Sequence, residues 1–63
     1  MLIDIETRSF LMDALDLTGS EMAILQAEGK LEHGHSTITM TRDKFGVIVT
    51  EYRRGCFYQE FKF

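Results

Sequence analysis

Apolar residues change their spacing once along this chain, near residue 35. Between Thr7 and Leu17 they fall at Phe10, Leu11, Ala14, Leu15 and Leu17, spacings that gather on one stripe of an α-helix. Thr7 or Ser9 is suited to cap its start, while Met12, Asp13 and Asp16 lie toward the other side. A second helix has a sharper beginning. Thr18 and Glu21 stand at capping-box spacing, and Leu17 and Met22 stand where a hydrophobic staple would close over the cap. Met22, Ala23, Ile24, Leu25 and Ala27 fill the interior, and Gly29 offers a left-handed stop. This places helix two over Gly19 to Glu28, joined to helix one by almost no loop. Residues 2–5 alternate apolar and acidic, which leaves room for a short N-terminal extended strand.

Beyond residue 35 the period becomes two. Ser36 to Arg42 alternates strictly and is rich in β-branched residues, the pattern of a strand. Asp43-Lys44-Phe45-Gly46 has the residues of a type I turn, Asp first and Gly last. Val47 to Tyr52 forms a second strand, Arg53-Arg54-Gly55 a bulged turn, and Cys56 to Phe63 a third strand. The expected fold is α+β: two short helices on one face of a three-stranded antiparallel meander, a single domain over residues 1–63. Residues 1–35 would supply the helical layer and residues 36–63 the sheet.

The loop lengths set a register. Arg42 pairs with Val47, Met40 with Val49 and Ile38 with Glu51; Tyr52 pairs with Cys56, Val49 with Gln59 and Val47 with Phe61. Ile38, Met40, Val47, Val49, Phe57, Phe61 and Phe63 then share the face toward the helices. Thr37, Thr39, Thr41, Ile48, Thr50, Tyr52, Cys56 and Tyr58 share the other, where only Glu60 and Lys62 bring charge. A solvated sheet face ordinarily carries more lysine and glutamate than this.

Charge follows the same division. Residues 1–35 carry Asp4, Glu6, Asp13, Asp16, Glu21, Glu28 and Glu32 against Arg8 and Lys30, seven acids less two bases, or −5. Residues 36–63 carry Arg42, Lys44, Arg53, Arg54 and Lys62 against Asp43, Glu51 and Glu60, or +2, and the two add to the net −3 of the chain. With 63 residues, a chain of this kind buries only about 60% of its unfolded surface, so a partner would add useful burial. Ordinary hydrophobicity argues against disorder, and no apolar run spans a bilayer. Met1-Leu2-Ile3-Asp4-Ile5-Glu6 lacks a signal peptide's basic start, and the single Cys56 suits a reducing compartment, so the expected location is cytoplasmic.

Candidate chemistry is sparse. His33-Gly34-His35 beside Glu32 supplies too few ligands for a stable metal site and reads as a solvated linker. Cys56 would need a base and an orienting partner to act as a nucleophile, and no phosphate loop or dinucleotide fingerprint occurs. Leu17-Thr18-Gly19-Ser20-Glu21 through Ala27-Glu28-Gly29 resembles a phrase of response-regulator helix-turn-helix domains. Here, however, Leu31-Glu32-His33 follows where their basic recognition helix would stand, and the acidic balance opposes phosphate.

The reading is therefore a non-enzymatic protein-binding module without metal or cofactor. It falls in the size class of phage-encoded inhibitors of host or defence enzymes and of small bacterial regulators. Ile48, Tyr52, Tyr58, Arg53 and Arg54 are the candidate contact residues, because tyrosine and arginine favour interface centres. A homodimer through the exposed sheet face belongs to this reading. The alternative is a small nucleic-acid-binding domain using the sheet face and the arginine turns.

Overall fold

Among the described residues two helices, α1 (Ile5–Leu15) and α2 (Gly19–Glu28), precede four strands, β1 (Lys30–His33), β2 (Ser36–Asp43), β3 (Gly46–Arg53) and β4 (Cys56–Lys62). The computed structural model describes residues 3–63. All four strands form one antiparallel sheet in the order β1-β2-β3-β4. The α+β class and its order, helices first and meander after, are those read from the sequence, with one strand added.

That strand comes from residues 30–33, for which the sequence predicts no element beyond the linker at His33-Gly34-His35. Gly29 ends α2 in the left-handed conformation, and its carbonyl accepts from the Met40 amide at 2.9 Å, which lays the following residues beside β2. Leu31 then faces Ile38 and is buried with it, while Gly34-His35 forms a two-residue turn. The strand is legible only as a short alternation, Lys30-Leu31-Glu32-His33, with one apolar residue to betray it.

Each helix is set by its cap. Asp4 accepts from the Thr7 amide at 2.7 Å, so α1 starts at Ile5, and its cap lies three residues before Thr7, the earlier of the two expected caps. Of the lead-in expected over residues 2–5, Leu2 lies outside the described residues, Ile3 and Asp4 join no strand, and Ile5 is helical. Asp16 closes α1 in a left-handed conformation, φ 56°, and its N–H and that of Leu17 both reach the Met12 carbonyl. The capping box of α2 is complete: the Glu21 amide donates to Thr18 Oγ1 at 3.2 Å, and the Thr18 amide donates to Glu21 Oε1 at 2.9 Å.

The core joins Leu11, Leu15 and Leu17 to Met22, Leu25, Leu31, Ile38, Met40 and Val49. Helix α2 lies against β1 and β2, and α1 lies against α2, so the helices cover one half of the sheet. Over the β4 side the cover is aromatic: Phe10 of α1 stacks edge-on against Phe61 and Phe63, with centroids 5.4 Å and 5.8 Å away. Among the described residues no helix or strand covers the opposite sheet face.

The β2–β3 register is the expected one, with Arg42, Met40 and Ile38 opposite Val47, Val49 and Glu51. The β3–β4 register differs. Arg54 adopts φ 53° and Gly55 φ 82°, a two-residue turn of type I′ instead of a three-residue loop, so Arg53 pairs with Cys56. Beyond the turn a β-bulge lets Tyr52 face Phe57 and Glu51 face Gln59, with Tyr58 as the extra residue. The two one-residue slips add to two, so Phe61 and Phe63 stay on the helix side; Val49 meets Phe61 instead of Gln59. Between turn and bulge the faces are the reverse of those expected from the sequence. Phe57 leaves the core face and is 63% exposed, while Tyr58 crosses to the helix side.

Candidate functional site

The β1–β2 and β3–β4 turns lie at the same end of the sheet, tied by an Arg54 amide that donates to the His35 carbonyl at 2.9 Å. On the helix side of this end, past the edge of the apolar core, stands Glu51. Its side chain is almost completely buried, yet it replaces the apolar residue that the alternation of β3 calls for. Ser36 Oγ donates to its Oε2 at 2.8 Å, Arg53 Nε to the same oxygen at 3.2 Å, and Gln59 Nε2 to Oε1 at 2.6 Å. Burial pushes the Glu51 carboxyl up, but hydrogen bonds from Gln59, Ser36 and Arg53, together with the Arg53 charge, hold it below its ordinary range.

The carboxylate fixes the arginine. Held at Nε, the guanidinium of Arg53 lies over the Tyr58 ring, its carbon 3.6 Å from the centroid. The Arg53 side chain is half exposed and so is Tyr58, which makes the pair a surface feature with a buried foundation. Around the same hairpin, on the outer face, Tyr52 and Phe57 meet edge-to-face with centroids 6.4 Å apart. Arg54 and Gly55 form the tip between these two aromatic pairs. Nearby, His33 Nε2 stands 3.4 Å from Glu21 Oε2, joining β1 to the start of α2. Hydrogen bonding to Thr18, its backbone first, keeps the Glu21 carboxyl below its usual range.

Of the residues chosen from the sequence, Tyr52, Arg53, Arg54 and Tyr58 share this end, although Tyr58 stands on the side opposite to the one expected. Ile48 does not join them. It lies opposite Thr41 and Lys62, four residues along β3 from Tyr52 and so about 13 Å away. There it borders an open cleft of about 300 Å³ lined also by Asp43, Phe45, Val47 and Phe63. Phe57, Glu51, Ser36 and Gln59 also stand at this end and are not among the contact residues expected from the sequence, where Phe57 belongs to the core face. The signal for Glu51 was present, a carboxylate on the apolar side of a strand between Val49 and Arg53.

Cys56 is exposed and unbridged. Among the described residues no group of three His, Cys, Asp or Glu side chains is placed to hold a metal ion, and no helix is long and apolar enough to cross a membrane. Comparison with protein-family models, curated proteins and solved structures finds no match for the chain.

Proposed function

We propose that this chain is a non-enzymatic binding module that docks on a larger protein through its β3–β4 hairpin end and inhibits or modulates that partner. The observation that carries the reading is the Glu51-anchored Arg53–Tyr58 stack beside the exposed Tyr52–Phe57 pair. Arginine and tyrosine are over-represented where interfaces draw most of their energy. A guanidinium already held by a buried carboxylate loses little conformational freedom on docking, which favours affinity. Nucleic-acid binding is the competing reading, since a cation over an aromatic ring is also a base-stacking device. It is disfavoured because Glu51 neutralises Arg53 locally, while Arg42 and Lys44 lie toward the far end of the sheet.

A photo-reactive phenylalanine analogue placed at Phe57 or Tyr58, with Glu28 on α2 as the control position, tests the assignment in a lysate of the source cells. One discrete adduct from positions 57 and 58, absent from 28 and lost in Arg53→Ala, is the expected result. Oligonucleotide binding that falls by about one logarithmic slope unit per phosphate contact as salt rises would replace this reading with the competing one.

A further inference from the structure

Among the described residues no strand lies beside β4 on its outer edge. Val47 and Phe63 exchange both backbone hydrogen bonds, the Val47 amide donating at 3.2 Å and the Phe63 amide at 2.9 Å. Antiparallel pairing alternates, so Phe63, Phe61 and Gln59 turn their backbone groups toward β3, while Glu60 and Lys62 turn theirs to the open edge. The bulge at Tyr58 twists the earlier part of the strand away, leaving the stretch from Gln59 onward as the straight part of that edge.

From this geometry we infer that β4 pairs antiparallel with β4 of a second copy of the chain, around a two-fold axis at Phe61, to make a continuous eight-stranded sheet. The register follows from charge. Three alignments centred on the open-edge groups are available: Glu60 opposite Glu60, Lys62 opposite Lys62, or Glu60 opposite Lys62. The first two oppose like charges and are disfavoured; the third is self-complementary. Within one chain Glu60 and Lys62 already stand 3.6 Å apart, on the outer face. Pairing would place each opposite the other's counterpart, four charges of alternating sign. Exposed ion pairs contribute little affinity, so these charges select the register more than they hold the dimer.

The helix side supplies the burial. Phe61 would face its own copy across the axis, and Phe63 and Phe10, 43% and 47% exposed in the single chain, flank it. The edge thus has an apolar centre on one face and a charged, matched rim on the other, the arrangement of specific interfaces. This inference does not rest on the docking role of the hairpin end, which the bulge separates from the paired stretch.

The test uses the full chain, under reductant so that Cys56 cannot cross-link it, in sedimentation equilibrium at micromolar concentrations. A mass of twice the 7.3 kDa chain is expected. Glu60→Lys alone and Lys62→Glu alone should each raise the dimer Kd by roughly tenfold or more. The double exchange should restore it, and the two single variants mixed should pair with each other. A synthetic chain N-methylated at Lys62 loses one open-edge donor while keeping its ladder to β3, and it should dimerise less; unchanged circular dichroism certifies the fold of every variant. A monomer throughout, or a dimer indifferent to both the charge exchange and the N-methyl group, overturns the inference. Loss of dimerisation with photo-adducts from position 57 retained would leave the proposed function standing, and the converse would leave the dimer standing.

Discussion

The Arg53 guanidinium reaches the Tyr58 ring, 3.6 Å from its centroid, because β4 carries one residue more than its partner strand at that point. With the Val49–Phe61 pairing kept and no bulge, Tyr58 would face Tyr52 on the outer side and Arg53 would have Phe57 for a neighbour. The extra residue therefore sorts the aromatic residues of the hairpin: Tyr58 with the cation, Phe57 with Tyr52. If the stack contributes beyond simple contact, Arg53→Ala and Tyr58→Ala should be non-additive. A double-mutant cycle in urea is expected to give a coupling of about 0.5–1 kcal/mol. Strict additivity would mean that the two side chains are merely adjacent.

Phe57 and Phe61 are four residues apart on one strand, and the slip places them in opposite environments. Phe61 lies half-buried against Phe10, so Phe61→Ala should cost about 2–4 kcal/mol, a large share of the roughly 3–9 kcal/mol available to a domain of this size. Phe57→Ala should cost less than about 1 kcal/mol. Thermal melts of the two variants check the assignment, and equal losses would contradict the bulge.

How far the fold was legible depended on whether a feature had a local chemical signature. The capping box at Thr18 and Glu21, the stop at Gly29 and the alternation of Ser36 to Arg42 each carry theirs, and α2 and β2 fall where the sequence puts them. The β2–β3 register was readable because Asp43 caps its own turn, accepting from the Phe45 and Gly46 amides at 2.8 Å and 3.0 Å. The β3–β4 register was not, because Arg54 in a left-handed conformation is an unfavoured choice that no local rule anticipates. The same unfavoured residue hid the site. Once the turn tightened, Tyr58 and Phe57 exchanged sides, and a face read as one patch became two aromatic pairs around a tip.

Gly46 shows how tightly the far end is closed. A β-carbon there would lie 1.8 Å from the Phe63 carbonyl oxygen, so Gly46→Ala cannot keep the Val47–Phe63 pairing. Its melting temperature should fall clearly, and amide exchange at Phe63 should accelerate more than exchange at Met40. Uniform loss of protection would show that the two ends do not open independently.

Acid should weaken this protein through Glu51, the buried carboxylate. Its folded carboxyl is held below the ordinary value of 4.5, so ionisation favours the folded state. That contribution is present in full above the unfolded value and disappears as pH falls through the folded one. Asp4, lowered by hydrogen bonding to Thr7, and Glu21 have the same sign. Stability is thus expected to hold from neutrality down to about pH 5 and then decline. Glu51→Gln should lose about 1–3 kcal/mol at pH 7 and show a shallower decline in acid. An acid limb as steep as that of the parent protein would remove Glu51 from this role.

At Arg54 stability and binding pull in opposite directions. With φ 53° it holds the first position of a type I′ turn, where asparagine or glycine fits at lower conformational cost. Its backbone amide, not its side chain, makes the bond to His35, and asparagine would keep that bond. Arg54→Asn should therefore stabilise the fold, by about 0.5–1 kcal/mol, with the sheet unchanged. Positions that break a local rule without structural return are where function is to be sought. If the hairpin tip is part of the docking surface, the same substitution should weaken partner capture from positions 57 and 58 while the melting temperature rises. A rise in melting temperature with capture intact would confine the interface to the two aromatic pairs. A fall would show that the arginine side chain supports the turn itself, through a contact that outweighs the cost of its backbone conformation.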